Sequence, residues 1–150
     1  MHPQNNSIKI RRAVLKDLLE ICQLAEQLGY PDQPEKTKTR LEGLFQNPSH
    51  EIFVAENTSG RVLGFIHIRL QNSLVIDPVV EVGSLVVDQE FRGLGIGKSL
   101  LHSAEEWAKK EGCRQIRLHS NIIRSEAQKF YLNQGYTIIK TQHAFLKELT

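Results

Sequence analysis

Residues Arg92-Gly93-Leu94-Gly95-Ile96-Gly97-Lys98-Ser99 set three alternating glycines between a β-rich run ending at Val87 and a helical stripe beginning at Leu100. Strand, glycine loop and helix in that order constrain both the architecture and the chemistry. Glycines let backbone N–H groups approach a ligand without interference from Cβ, and a helix N-terminus offers unpaired N–H donors at the positive end of its dipole. A phosphate or pyrophosphate fits such a turn. Each helix-end interaction is worth about 0.3–1 kcal/mol, so several donors must act together. Arg92 and Lys98 add full positive charges. Spacing then removes two familiar ligands. A Walker A loop needs Gly where this chain has Arg92, and a G-x-G-x-x-G dinucleotide fingerprint needs Gly at Lys98 or at Leu100.

On either side of the loop the sequence alternates strand and helix patterns. Residues 8–12 alternate apolar and polar, and Leu15, Leu18, Leu19, Cys22, Ala25 and Leu28 recur at helical spacing until Gly29 and Pro31. Pro34 opens a second helix through about Phe45. Residues 52–56 and 62–70 read as a hairpin joined by Asn57-Thr58-Ser59-Gly60, and Val79–Val87 as a central strand with a bulge marked by Gly83. Leu100, Leu101, Ala104, Trp107 and Ala108 form a stripe that Gly112 ends, and 115–119 is the next strand. A Ser125/Gln128 capping box opens a short helix to Gln134, and residues 136–140 and 143–149 read as two last strands. The pattern predicts an α/β (α+β) fold with a single central sheet, mixed and largely antiparallel, flanked by helices in the order β-α-α-β-β-β-α-β-α-β-β. One domain over residues 1–150 is expected.

Lys plus Arg against Asp plus Glu gives 19 − 17 = +2 over 150 residues, spread along the chain, which nominates no nucleic-acid partner. No apolar run approaches a membrane span, and the polar start lacks a signal-peptide core, so the expected location is cytoplasmic. Cys22 and Cys113 stand apart with no ligand spacing around them and read as buried, reduced thiols; no metal site is expected.

The pattern Arg-x-x-Gly-x-Gly, met by Arg92, Gly95 and Gly97 with Gly93 in addition, resembles the acetyl-CoA loop of the GCN5-related N-acetyltransferase (GNAT) superfamily. Residues 85–97 look like that family's strand and pyrophosphate loop together, and Phe130-Tyr131 with Gly135-Tyr136 like its following helix and strand. The element order agrees from about residue 8 to 149. The resemblance implies an N-acetyltransferase that uses acetyl-CoA as donor and passes the acetyl group to a primary amine by direct attack in a ternary complex. Backbone groups of Leu85, Val86 and Val87 would bind the pantetheine arm and the acetyl carbonyl. Those of Arg92, Gly93, Leu94, Gly95, Ile96, Gly97 and Lys98 would hold the pyrophosphate, with Arg124, where many relatives have Asn, as a further cofactor contact. Tyr131 matches the family's acid for the leaving thiol; from spacing alone it shares a helix face with Ala127 and Phe130 and would be core.

Glu81 is the candidate base, because strict alternation puts it on one face with Gly83, Leu85 and Val87, although a bulge at Gly83 would disturb that parity. An ordinary strand-end carboxylate is the plainer reading. His67 and His119 read as hydrogen-bonded strand residues, and Trp107 as packing. The resemblance implies an acceptor pocket shaped by the loop between the first two helices, Tyr30 to Glu35, and by His143 to Phe145. Tyr30, Asp32 and Glu35 could attract a cationic amine, an exposed polar loop being the plainer reading. A small-molecule acceptor is expected in preference to a protein, with a homodimer left open. Ser120-Asn121 and Phe130-Tyr131-Leu132 also look somewhat like aminoalkylphosphonate acetyltransferases, which does not assign that acceptor. The same loop without a working Tyr131 would make a non-catalytic acyl-CoA-binding sensor or interaction module.

Overall fold

The structure, a computed structural model, describes residues 7–31, 33–120 and 122–150. Contacts divide the chain into two compact units, one up to Leu118 and one from His119. The first unit holds β1 (Lys9–Arg12), α1 (Leu18–Gln27), α2 (Pro34–Phe45), β2 (His50–Glu56), β3 (Val62–Gln71), β4 (Val79–Val87), α3 (Ile96–Lys110) and β5 (Ile116–Leu118), with 3-10 turns at Leu15–Asp17 and Gln89–Phe91. The strands pair in sequence order; β1 to β4 are antiparallel neighbours and β5 joins β4 in parallel. The expected mixed, largely antiparallel sheet is therefore present, as are Pro34 at the opening of α2 and the β2–β3 hairpin. In that turn Asn57 Oδ1 accepts the Ser59 and Arg61 N–H groups, at 3.1 and 2.9 Å, while Gly60 takes φ 86°.

Alternation along the strands gives the sheet two buried faces. Ile52, Val54, Phe65 and Val86 pack with Ile21 and Leu24 of α1 and Leu41 of α2. Ile96, Leu100, Leu101, Ala104 and Trp107 are the buried stripe of α3, which packs on β3 and β4. Gly64 permits the close approach. A Cβ there would lie 2.8 Å from the Val86 carbonyl oxygen and 3.2 Å from Leu100 Cδ1. Cys22 and Cys113 are both buried. No helix among the described residues is long and apolar enough to cross a membrane.

The second unit carries α4 (Ser125–Asn133). Here two expectations fail. The residue before the helix is Arg124, with no side-chain cap; Gln128 turns its amide to the Ile122 carbonyl at 2.9 Å, so the Ser125/Gln128 capping box does not form. Residues 136–140 and 143–149 form no strand, so the β-β end of the expected element order is absent. Their composition favours extended backbone, but a strand exists only where a ladder satisfies its N–H and C=O groups. Neither segment makes one, and Ile138, Ile139, Phe145, Leu146 and Leu149 stay exposed.

An ion pair closes the entry to the sheet. Arg11 donates from Nη1 and Nη2 to the two Asp17 oxygens, both at 2.8 Å, and from Nε to Glu56; the Val14 N–H adds a bond to Asp17 at 2.9 Å. Burial works to raise the Asp17 pKa, but Arg11 and the Val14 amide outweigh it and hold the carboxyl below its usual range. The stability this contributes is complete above the unfolded-state value of about 3.9 and is lost as pH falls through the lower folded value. Asp17→Asn takes away one of the two carboxylates that hold Arg11, leaving Glu56, and is expected to lower unfolding free energy by about 2 kcal/mol in urea titrations at neutral pH. The variant should show a flatter decline than wild type below about pH 4.

Candidate active site

Between β4 and α3 the chain turns sharply, and every bond around the turn fixes it. Asp88 is buried; its Oδ1 accepts the Glu90 N–H at 3.1 Å and its Oδ2 accepts Arg61 Nη2 at 2.9 Å. Gln27 of α1 accepts the Gln89 N–H at 2.9 Å, and the Arg92 Nε donates to the Val87 carbonyl at 3.2 Å. Gly93 and Gly95 then take φ 82° and 84°, and a Cβ on either would meet nothing within 4 Å. The space beside both glycines is open, and their need for glycine comes from conformation alone. Gly95 caps α3 and its carbonyl accepts the Ser99 N–H at 3.0 Å, the first bond of the helix. The N–H groups of Ile96, Gly97 and Lys98 consequently precede the helical ladder and lack intrahelical acceptors. No acidic residue occupies that first turn. Ile96 is buried and anchors the turn, whereas Arg92, Leu94 and Lys98 are exposed.

The strand leading into this turn is half-paired. On one side β4 runs against β3 from Val79 to Val87; on the other, the β5 ladder covers only Val80, Glu81 and Val82, opposite Ile116, Arg117 and Leu118. From Gly83 to Val87 that second edge has no strand partner among the described residues. Leu85, Val86 and Val87 thus lie on an open edge that runs directly into the glycine turn.

The predicted bulge forms, and it corrects the facing of Glu81. His67 pairs with Ser84 and Ile68 with Val82, which leaves Gly83 without a partner. Residues directly opposed in an antiparallel pair share a face. Glu81, opposite Arg69, therefore lies with Ser84 and Val86 on the face of His67, not with Leu85 and Val87. It is buried, and its carboxylate accepts Arg69 Nη2 at 2.8 Å. His67, read from sequence as a structural strand residue, meets His50 at 2.9 Å between ring nitrogens. Sequence reasoning passed over His50, whose signal appears only with the strand register.

In the second unit α4 carries Tyr131, edge-on to Phe130 at 5.3 Å and to Tyr136 at 6.0 Å between centroids. Burial pushes the phenol pKa up, and the Arg124 charge pulls against that. Tyr131 and Arg124 are thus brought together, and the phenol stays protonated at neutral pH. Ser120 carries a buried hydroxyl with no hydrogen-bond partner. Of the expected acceptor residues, Tyr30 is exposed, Glu35 lies in the first turn of α2, His143 and Phe145 are ring neighbours at 6.4 Å, and Asp32 and Asn121 are outside the described residues. No cluster of three or more His, Cys, Asp or Glu among the described residues could hold a metal ion.

A family model described as the acetyltransferase (GNAT) family matches residues 15–136. The chain is 39% identical over 79 residues to the aminoalkylphosphonate N-acetyltransferase of Salmonella typhimurium, which covers 52% of this chain and about half, 51%, of that protein. It is 26% identical over 132 residues to an aminoglycoside N(6')-acetyltransferase of Stenotrophomonas maltophilia, covering 85% and 84% of the two chains. An aminoglycoside N-acetyltransferase solved in complex with CoA shares the fold, with a TM-score of 0.85 at 21% identity over 95% of each chain.

Because Gly95 has left-handed backbone and free space beside it, Gly95→Ala should lose about 1–2 kcal/mol of stability from backbone strain alone. Gly93→Ala should cost about as much. Urea unfolding followed by circular dichroism measures both, and an unchanged midpoint would show the turn to be differently built.

Proposed function

Because the chain belongs to the GNAT acetyltransferase family, we propose that it transfers the acetyl group of acetyl-CoA to a primary amine of a small molecule, by direct attack in a ternary complex. The observation that carries this is the backbone of one turn: two left-handed glycines deliver an open strand edge into the free N–H groups at the start of α3. A diphosphate matches that set of donors, and the thioester arm matches a strand edge in need of partners. Bound there, acetyl-CoA supplies an activated acetyl carbon and a thiol leaving group.

The chain's own groups then divide the work. Main-chain N–H groups from Gly93 to Lys98 hold the diphosphate, and the charges of Arg92 and Lys98 reinforce them. Backbone groups of Leu85, Val86 and Val87 orient the arm, and an N–H among them polarises the acetyl carbonyl, a contribution of about 10²–10³ in rate. Tyr131 holds the proton that the departing sulfur needs, and burial keeps that proton in place at neutral pH. Arg124, whose charge acts on the same phenol, tunes it. Glu81 fixes Arg69 on the acceptor side of β4 through their ion pair. The names of the two curated relatives support a small amine as acceptor.

Release of free thiol from acetyl-CoA over a panel of primary amines tests the reading. Wild type should turn over at least one of them, and Tyr131→Phe should lower kcat about 10²-fold with acetyl-CoA affinity unchanged. Gly95→Glu places a carboxylate against the diphosphate and should abolish the calorimetric signal with acetyl-CoA. Tight binding with no turnover for any amine would favour an acyl-CoA-binding module instead.

A further inference from the structure

Register sets His50, His67 and Arg69 on one sheet face beside Ser84 and Glu81. His50 Nδ1 and His67 Nε2 are 2.9 Å apart, and the rings stack with centroids 5.2 Å apart. The second nitrogen of His67 turns to the bulge: a Cβ built on Gly83 would lie 3.4 Å from His67 Nδ1. Gly83 itself is exposed. A small group therefore reaches Nδ1 through the space that any other residue at 83 would fill. Two residues further, about 7 Å along the strand, lies Leu85, where the backbone assigned to the thioester begins.

The geometry points to His67 as the group that takes the proton of the acceptor amine, with His50 as the positioning residue that passes it on. This inference rests on the acetyltransferase reading above. As the amine nitrogen bonds to the acetyl carbon and the C–S bond breaks, the amine proton goes to His67 Nδ1. His67 gives its Nε2 proton to His50 Nδ1, and His50 releases one from Nε2 to water. The sulfur takes a separate proton from Tyr131, which recovers its own from solvent. Before the next turnover His50 takes a proton from water at Nε2 and returns its Nδ1 proton to His67 Nε2, while the Nδ1 proton of His67 passes to solvent, so both tautomers are restored and protons and bonding pairs balance.

The surroundings suit a relay better than a store. Burial, then the fields of His50 and Arg69, push the His67 pKa down to about 4, so its ring is neutral at physiological pH with a lone pair available. The charged groups facing it are His50 from β2, Arg69 from its own strand and, from β4, Glu81, which is engaged by Arg69. A half-buried imidazole so placed holds a proton poorly, and transfer to His50 removes the charge as it arrives.

The test is thiol release from acetyl-CoA between about pH 6 and about pH 9, with an aminoalkylphosphonate and an aminoglycoside as acceptors. Wild type, His67→Gln, His50→Gln and Gly83→Val are compared, and acetyl-CoA affinity is followed by calorimetry. His67→Gln should lower kcat about 10²-fold at neutral pH, leave acetyl-CoA affinity unchanged, and make the rate climb about tenfold per pH unit toward the amine's own pKa. His50→Gln should lose about tenfold with the same steepening, and Gly83→Val, which keeps both imidazoles, should fall with it by closing the passage. A His67→Gln rate and pH profile equal to wild type overturn the inference alone. Wild type inactive with these two amines and with every other primary amine of the panel overturns it together with the acetyltransferase reading. Should His67→Gln fail to fold, unaltered profiles in both other variants overturn it.

Discussion

Along β4 every residue but Gly83 has a partner on β3, yet on the other side the ladder with β5 stops at Val82. Backbone N–H and C=O groups that are buried without partners cost a large part of a hydrogen bond each. A strand that is fully supported on one edge and open on the other is rigid enough to hold its donors in place and has unmet valence to offer. The end of the β5 pairing is thus the feature that leaves the last residues of β4 an open edge, among the described residues, leading straight into the turn.

The turn after β4 carries that edge into the start of α3, and neighbouring packing braces it. Asp88 is held by Arg61 from the start of the hairpin strand, and Gln89 by Gln27 from α1, so the loop is braced from two sides. Ile96 and Leu100 press α3 onto Gly64, where any side chain would strike the Val86 carbonyl. The same contact that sets the height of the helix over the sheet fixes where its first N–H groups lie. Preorganised donors of this kind need no rearrangement when charge arrives, which is the reason they are effective in catalysis.

The bulge at Gly83 switches the facing of β4. Before it, Glu81 belongs to the face with His50, His67 and Arg69; after it, Leu85 and Val87 point to the face of α3. One inserted residue shifts the facing of every side chain that follows it on the strand. It also explains why the residue that strict alternation nominated, Glu81, serves in an ion pair, while the histidines come to border the gap.

Much of this was legible in the residues themselves. The glycine turn, the Val79–Val87 strand, Pro34 at the opening of α2 and the hairpin around Gly60 are local signals, set by φ preferences and side-chain period over a few neighbours, and each appears where it was expected. Strand character at 136–149 was not settled by composition, because a strand is a relation between two segments and these make no ladder. The Ser125/Gln128 box gave way to a bond from Gln128 to Ile122 for a similar reason: a side chain takes whichever acceptor the fold brings within reach. Sequence alone determined that a glycine turn with left-handed backbone joins a central strand to a helix, since backbone torsion is a property of the residues at hand. Which face Glu81 occupies, and that His50 meets His67 across two strands, came only with the register, because pairing depends on residues far apart in the chain.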